Sequence, residues 1–141
     1  MNHVEPITQE IIAAFVPLMD DGDRAELGHD PEQLVAHVWR GSVHSFAGIV
    51  DGQPAFIGGV NGRGCVWMIS TPMVARAKKF YLRATRDQAA KMQALFPTIW
   101  TWVDSRYTRS LRWLDWLGFD IADGAAVPGT GRIIHRVERR A

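Results

Sequence analysis

The feature that most constrains the fold is a strand–helix–strand unit in the middle of the chain. Residues 65–70, "CVWMIS", are almost continuously apolar, which is typical of a strand buried on both faces. A helical pattern then runs from about Pro72 to Leu95, and residues 98–104, "TIWTWVD", have the pattern of another strand. A crossover of this kind is right-handed and places its two strands parallel. The chain must therefore build a sheet that contains one parallel pair.

The segments before this unit predict two helices and an antiparallel meander. Thr8 and Asp30 are each suited to cap a helix, because their side-chain oxygens can accept a backbone N–H of the first turn. The strand-like residues 43–50 precede Asp-Gly, and residues 54–60 precede Asn-Gly, which are strong hairpin signals. The acidic run "DDGD" at 20–23 predicts a solvated turn, since the spacing of a calcium loop does not continue.

The segment "SLRWLDWLGF" at 110–119 predicts a further helix with a glycine stop. Three leucines at three-residue spacing share one helix face: Leu111, Leu114 and Leu117. Gly118 can take the positive φ that ends a helix, and strands follow at 119–122 and 132–137. The order of elements predicts an α/β fold of the α+β type. It consists of a mixed, mostly antiparallel sheet with one parallel strand–helix–strand crossover, and helices cover both faces.

Composition narrows the class of protein. The 141 residues are 47% hydrophobic and 22% charged, which predicts one folded domain over residues 1–141. No apolar run reaches the roughly 18 residues that a membrane span needs. Residues 1–10 lack the basic start and apolar core of a signal peptide, and Cys65 has no second cysteine to pair with.

Charge is unevenly distributed along the chain. Residues 1–60 hold nine acidic and two basic side chains, whereas residues 61–141 hold six acidic and fourteen basic ones. One interpretation is an anionic partner for the second half, and the other is that the two halves neutralise each other in the fold. Nucleic acid would require one continuous surface formed by the basic residues of the long helix and of the C-terminal segment.

The order of elements, together with "SLRWLDWLGF", resembles the GNAT family of N-acyltransferases. That family commonly ends its fourth helix with Asn-x-x-Ala-x-x-Leu-Tyr-x-x-x-Gly-Phe. Gly118 and Phe119 match the ending, Ser110 takes the alanine position, and Trp113 and Leu114 take the Leu-Tyr positions. Within the fold, "PAFIGGVNGRGCVWMIS" and the basic helix after it look like small GNAT-like internal virion proteins of short-tailed phages. This resemblance implies a role in virion morphogenesis, with a virion or host protein as partner, in the host cytoplasm or the virion.

The resemblance also implies where acyl-CoA would bind. In the family, a glycine-rich loop between the fourth strand and the long helix holds the pyrophosphate on backbone N–H groups. Here that segment is "STPMVARAKK", which has no glycine, and Pro72 lacks an N–H. The expected cofactor is therefore acetyl-CoA or none. Its candidate ligands are Ser70, Met73, Val74, Ala75, Arg76, Lys78 and Lys79.

The catalytic positions of the family are altered. The tyrosine that commonly acts as general acid is replaced by Leu114, which has no proton to give, and the usual asparagine is Tyr107. Asp104 and His44 are the nearest candidates for a base, although Asp104 also suits a helix cap and His44 a strand surface. Asp104 and Tyr107 are the candidate catalytic residues. Cys65 reads as a buried structural cysteine, and no metal-ligand spacing is present.

Three functions remain open from the sequence. The first is a GNAT-like phage protein that is degenerate in catalysis and acts in virion assembly or on a host partner. The second is an active N-acyltransferase that moves an acetyl group from acetyl-CoA to an amine, and the third is a nucleic-acid-binding module. An open groove between the two crossover strands would favour acyl-CoA. A groove plugged by Trp67, Met68, Trp100 or Met73 would favour the first function.

Overall fold

The computed structural model describes all residues from Met1 to Ala141, which form eight strands and five α-helices. The strands are β1 His3–Glu5, β2 Ser42–Val50, β3 Gln53–Asn61, β4 Val66–Ser70, β5 Thr98–Asp104, β6 Asp120–Ile121, β7 Ala125–Val127 and β8 Arg132–Arg140. The α-helices are α1 Gln9–Phe15, α2 Asp21–Glu26, α3 Pro31–Arg40, α4 Lys78–Leu95 and α5 Thr108–Trp116. Short 3-10 helices cover Val16–Leu18 and Pro72–Arg76.

The strands form two sheets. In the first sheet β1, β2, β3 and β4 are neighbours in that order, and every pair is antiparallel. In the second sheet β8 is the central strand and pairs antiparallel with β5, β6 and β7. The fold is thus mixed α/β with mostly antiparallel strands, as the sequence predicts.

The two sheets meet at one point. Cys65 and Trp100 form an isolated parallel bridge, in which the N–H of Trp100 donates to the carbonyl of Gly64 at 2.9 Å. The indole N–H of Trp100 also donates to the carbonyl of Arg63 at 3.0 Å. Beyond this bridge β4 and β5 separate, because neither strand pairs with the other again. The parallel crossover is confirmed. The expectation that β4 is buried on both faces is wrong, since residues 67–70 are only partly buried at a sheet edge.

Two apolar clusters hold the sheets and helices together. The larger cluster lies between α4, α5 and both sheets, and its fully buried members include Phe56, Ile99 and Val137. The second packs α1 and α3 on the other face of the first sheet, around Ile12 and Phe15. In β2 and β3, Phe46 and Phe56 belong to the larger cluster, whereas the residues that follow them, Ala47 and Ile57, belong to the second, as the two-residue period of a strand requires.

Most helix signals in the sequence are correct. Thr8 accepts the N–H of Ile11, Asp30 accepts the N–H of Gln33, and Gly118 ends α5 with a φ of 92°. The solvated turn predicted for the acidic run at 20–23 is wrong, because these residues begin α2. Asp20 caps that helix, and the acidic residues of the first turn suit the positive end of its dipole.

The prediction of one continuous long helix is also wrong, and the difference affects the candidate cofactor segment. The predicted helix from Pro72 to Leu95 is broken at Ala77, whose φ of −143° is not helical. A 3-10 helix precedes this break and α4 begins after it at Lys78. The short strands β1 and β7 have only three residues each and are absent from the sequence prediction.

Candidate active site

A cleft of about 600 Å³ lies where β4 and β5 separate. Val66, Trp67 and Met68 form its β4 wall, and residues 101–104 form its β5 wall. Residues of α4 and α5, Leu114 among them, line it as well, together with side chains from α2, β2, β8 and the segments on either side of α5. Trp67 and Met68 line the cleft without filling it, and neither Trp100 nor Met73 is among its lining residues. Trp100 lies at the bridge between the sheets, where its indole N–H bonds the carbonyl of Arg63. The groove between the crossover strands is therefore open.

The backbone of β4 forms one edge of this cleft. β4 pairs with β3 from Val66 to Ser70, but on its other side it has no strand partner after the bridge at Cys65. An unpaired strand edge presents N–H and C=O groups that an extended ligand can bond. The cleft therefore offers a hydrogen-bonding edge along one wall.

Tyr107 and Glu26 lie together at the polar mouth of the cleft. The Tyr107 hydroxyl is 3.0 Å from both carboxylate oxygens of Glu26, which accept its proton in a hydrogen bond. This bond raises the pKa of Tyr107 above its ordinary value, with a smaller contribution from burial. The phenol is therefore protonated at neutral pH and lies beside a carboxylate. Tyr107 lines the cleft, while its catalytic role remains a prediction.

Asp104 lies at the same mouth but is bound on all sides. It is only 5% exposed, and its Oδ1 accepts the backbone N–H of Arg106 at 2.9 Å and the Nε–H of the same residue at 3.2 Å. Oδ2 accepts the Nε–H of Arg132 at 2.9 Å. The backbone N–H of Arg106, and then Arg132, lower the pKa of Asp104 to about 2. A carboxyl group with so low a pKa is a weak proton acceptor at neutral pH. The geometry therefore makes Asp104 an anchor for two arginines.

The predicted cofactor segment does not line the cleft. Ser70 ends β4, and Thr71 caps the 3-10 helix that follows. Its Oγ1 accepts the N–H of Met73 and its carbonyl accepts the N–H of Val74, both at 3.2 Å. Two of the N–H groups expected to hold phosphate are therefore already bonded. Ala75, Arg76, Lys78 and Lys79 are exposed.

An anion site in this region would have to use the first turn of α4. No side chain caps α4, and the first N–H groups of any α-helix lack a partner in the preceding turn. Lys78 and Lys79 begin this helix and are exposed. The phosphate-binding role of the segment thus stays a prediction, with its centre moved from the 3-10 helix to Lys78 and Lys79.

The other chemically suggestive residues lie away from the cleft. His44 bonds Gln88 at 2.7 Å between Nε2 and Oε1, and Gln88 is buried. Cys65, whose backbone forms the bridge between the sheets, is only partly buried, and this burial raises the pKa of its thiol. No three side chains of the metal-binding types come together. No helix is both long and apolar enough to cross a membrane.

Three residues at the mouth were missed from the sequence: Glu26, Arg106 and Arg132. Glu26 lies at the end of α2, three positions after the acidic run at 20–23, and 81 positions separate it from Tyr107. Arg132 meets Asp104 only because β5 and β8 pair. No local pattern carries that information. On β8, Arg136 and Arg140 both approach Glu138, at 3.8 and 3.5 Å, so part of the C-terminal positive charge is neutralised within the fold.

Solved structures with the same architecture are numerous. No protein-family profile matches the sequence, and a search of curated proteins finds no match. The ribosomal-protein-S18-alanine N-acetyltransferase from Escherichia coli superposes with a TM-score of 0.72 at 15% identity, covering 99% of this chain and 94% of that one. A GNAT-family acetyltransferase from Streptococcus pneumoniae gives 0.70 at 10% identity, covering 99% of both chains.

A third similar structure contains ligands. It is AAC(6')-Ib in complex with ribostamycin and coenzyme A, with a TM-score of 0.70 at 12% identity, covering 99% of this chain and 93% of that one. At such identities the likeness concerns the fold alone. The chain therefore has the GNAT acetyltransferase fold, in which function must be argued from the site.

Proposed function

We propose that this chain, built on the GNAT acetyltransferase fold, is an N-acyltransferase that moves an acetyl group from acetyl-CoA to an amine. The observation that carries the proposal is the open cleft between β4 and β5, with the Tyr107–Glu26 pair at its mouth. Structures of the same fold include one with coenzyme A and one with acetyl-CoA, both of AAC(6')-Ib. Their ligands support the choice of donor.

The cleft suits the pantetheine arm of acyl-CoA. A volume of about 600 Å³ lies within the range of small-molecule sites, roughly 300–1,000 Å³. The arm is extended and carries amide groups, so it can bond the free edge of β4 as an added strand would. Lys78 and Lys79, at the positive end of the α4 dipole, would hold the phosphates. Bound acetyl-CoA supplies an acyl group activated as a thioester.

Tyr107 and Glu26 would move the proton that acyl transfer releases. Glu26 accepts the proton of the attacking amine as the new C–N bond forms. Tyr107 donates its proton to the sulfur as the C–S bond breaks, and takes one back from Glu26 across their 3.0 Å hydrogen bond. One proton passes from nitrogen to sulfur, and both side chains return to their starting states.

Calorimetric titration with acetyl-CoA and with CoA tests the donor. We expect micromolar binding that weakens at least tenfold in the double variant Lys78→Ala/Lys79→Ala, since both charges face the same phosphates. Lys91→Ala is the matched control, because Lys91 is an exposed lysine near the opposite end of α4. The absence of heat at high ligand concentration would retire acyl transfer from acetyl-CoA.

A second candidate is a GNAT-like phage protein without catalysis, acting in virion assembly or on a host partner. It is favoured by the bonds that Thr71 makes to the N–H groups of Met73 and Val74, together with Leu114 at the position of the family's general acid. This candidate predicts that acetyl-CoA does not bind. It also predicts that mass spectrometry detects the chain in purified phage particles or in a complex with a host protein.

A further inference from the structure

Two arginines at the mouth of the cleft share one buried carboxylate. Arg106 and Arg132 each bond Asp104 through Nε, at 3.2 and 2.9 Å. Their side chains are 64% and 53% exposed, and both line the cleft. Neither guanidinium uses a terminal Nη atom in a hydrogen bond within the chain. Asp104 therefore fixes both side chains while leaving the Nη donors free.

The two arginines form ion pairs with only one carboxylate. Asp104 offsets one of the two guanidinium charges, whereas Glu26, the other carboxylate that lines the cleft, accepts the hydroxyl of Tyr107 and forms no ion pair with either arginine. Planar guanidinium groups with free Nη atoms match the two oxygens of a carboxylate better than any other side chain does. The arrangement is therefore that of a receptor for a small anionic group.

This receptor lies close to the proposed amine position. The Cζ atom of Arg106 is 5.6 Å from the ring centroid of Tyr107, whose hydroxyl meets Glu26. Trp102, two residues before Asp104 on the same face of β5, is half exposed and lines the same cleft. One cleft thus brings together the Tyr107–Glu26 pair that would receive an amine, two arginines that can bind an anion, and the aromatic surface of Trp102.

We propose that the acyl acceptor is an amino acid: Glu26 and Tyr107 receive its amino group, Arg106 and Arg132 bind its carboxylate, and Trp102 packs against its side chain. This inference rests on the proposed acyltransferase function and specifies its substrate class. The arginines act in recognition, so they affect the Michaelis constant for the acceptor and leave the binding of acetyl-CoA unchanged.

The test compares each standard amino acid with its carboxamide, which keeps the amine and removes the negative charge. With acetyl-CoA as donor, the release of free thiol gives the rate and mass spectrometry identifies the acylated product. We expect kcat/KM for accepted amino acids to exceed that of their amides by at least tenfold, because charge-assisted hydrogen bonds are lost. Arg132→Gln should lower kcat/KM for the acid about tenfold and leave that for the amide unchanged.

Controls separate recognition from folding. Arg109→Gln removes an exposed arginine of α5 that does not line the cleft, and it should change kcat/KM for neither the acid nor the amide. Arg132→Lys retains the charge without the planar fork and should restore part of the preference for the acid. Thermal unfolding verifies that the Arg132 variants are folded, and the acid-to-amide ratio of the unmodified chain decides the matter if they are not.

The outcomes distinguish this inference from the function on which it rests. Acetyl-CoA binding together with equal or faster acylation of the amides, or with no acylation of any amino acid, overturns the amino acid acceptor alone. Neither binding nor transfer to any amine overturns the acyltransferase function and the acceptor with it. A strong preference for the acids that Arg132→Gln leaves intact would remove the arginine pair from the explanation.

Discussion

Asp104 shows how one residue can organise a site without entering the chemistry. A buried carboxylate is costly unless donors surround it, and here three N–H groups of Arg106 and Arg132 supply the bonds. Its place at the end of β5 fixes the mouth of the cleft, because Arg106 comes from the following turn and Arg132 from β8. Losing this carboxylate would release both arginines at once.

The depressed pKa of Asp104 predicts acid sensitivity. Its pKa falls from the ordinary value of 3.8 to about 2 in the folded chain, mainly through the backbone N–H of Arg106. The ionised group therefore stabilises the fold above about pH 4, and this contribution is lost as pH falls from there towards 2. Denaturant unfolding at a series of pH values should show that the free energy of unfolding of the unmodified chain falls more steeply below pH 4 than that of the Asp104→Asn variant. Asp123→Asn, an exposed control, should follow the unmodified chain.

Tyr107→Phe tests proton transfer at the mouth. The substitution removes the hydroxyl that meets Glu26 and keeps the ring. We expect kcat to fall about 100-fold, within the range for general acid–base groups, while the affinity for acetyl-CoA stays unchanged. Steady-state kinetics beside calorimetry separates the two quantities. An unchanged kcat would mean that the phenol serves packing alone.

Sequence reasoning finds those site residues that stand next to recognisable elements. Asp104 ends a clear strand and Tyr107 begins a clear helix, so both were candidates. Glu26 and Arg132 were not, because their positions depend on packing between distant segments and on strand pairing. The roles proposed for these residues come from three-dimensional neighbours that no spacing in the sequence reveals.

At the level of elements, the pairing of β2 with β3 depends on two glycines that lie under aromatic rings of the neighbouring strand. Gly48 pairs with Phe56, and Gly58 pairs with Phe46 on the neighbouring strand. A Cβ on Gly48 would lie 2.1 Å from the ring of Phe56, and a Cβ on Gly58 would lie 2.7 Å from that of Phe46. These strands can therefore pair only because both positions lack a side chain.

Gly48→Ala should destabilise the chain by about 1–3 kcal/mol, the usual cost of overpacking a core. Phe56 is fully buried and cannot move away from the added methyl group. Gly62→Ala is the control, since its Cβ would meet nothing closer than 4.0 Å, and it should stay within about 0.5 kcal/mol. Chemical denaturation measures both free energies of unfolding, and equal values would show that the sheet adjusts.

Elements with strong local signals are predictable, and weak ones are not. The hairpins at Asp-Gly and Asn-Gly, the crossover and the glycine stop of α5 follow from local rules. The strands β1 and β7 hold three residues each and exist through pairing with β2 and β8. The break at Ala77 is not predicted either, because the helical sequence pattern continues through that position.

For the whole molecule, the open cleft makes ligand binding a matter of stability. A ligand that binds only the folded chain stabilises it, by about 2.7 kcal/mol at one hundred times its dissociation constant. Saturating acetyl-CoA should therefore raise the melting temperature. It should also slow amide hydrogen exchange in β4 and in the first turn of α4, while β6 and β7 exchange as before. Exchange followed by mass spectrometry checks this, and protection spread evenly over the chain would place the ligand elsewhere.

The meeting of the sheets at Cys65 and Trp100 also divides the chain for protein engineering. All four strands of the first sheet end at or before Ser70, and all four of the second begin after Pro97, so each half of the chain supplies one whole sheet. A cut between Leu95 and Thr98 leaves each fragment with a whole sheet. The two pieces would then reassociate through side-chain packing, one strand bridge and side-chain hydrogen bonds such as that of Tyr107 to Glu26. This arrangement makes the chain suited to a split reporter whose reassembly rebuilds the cleft.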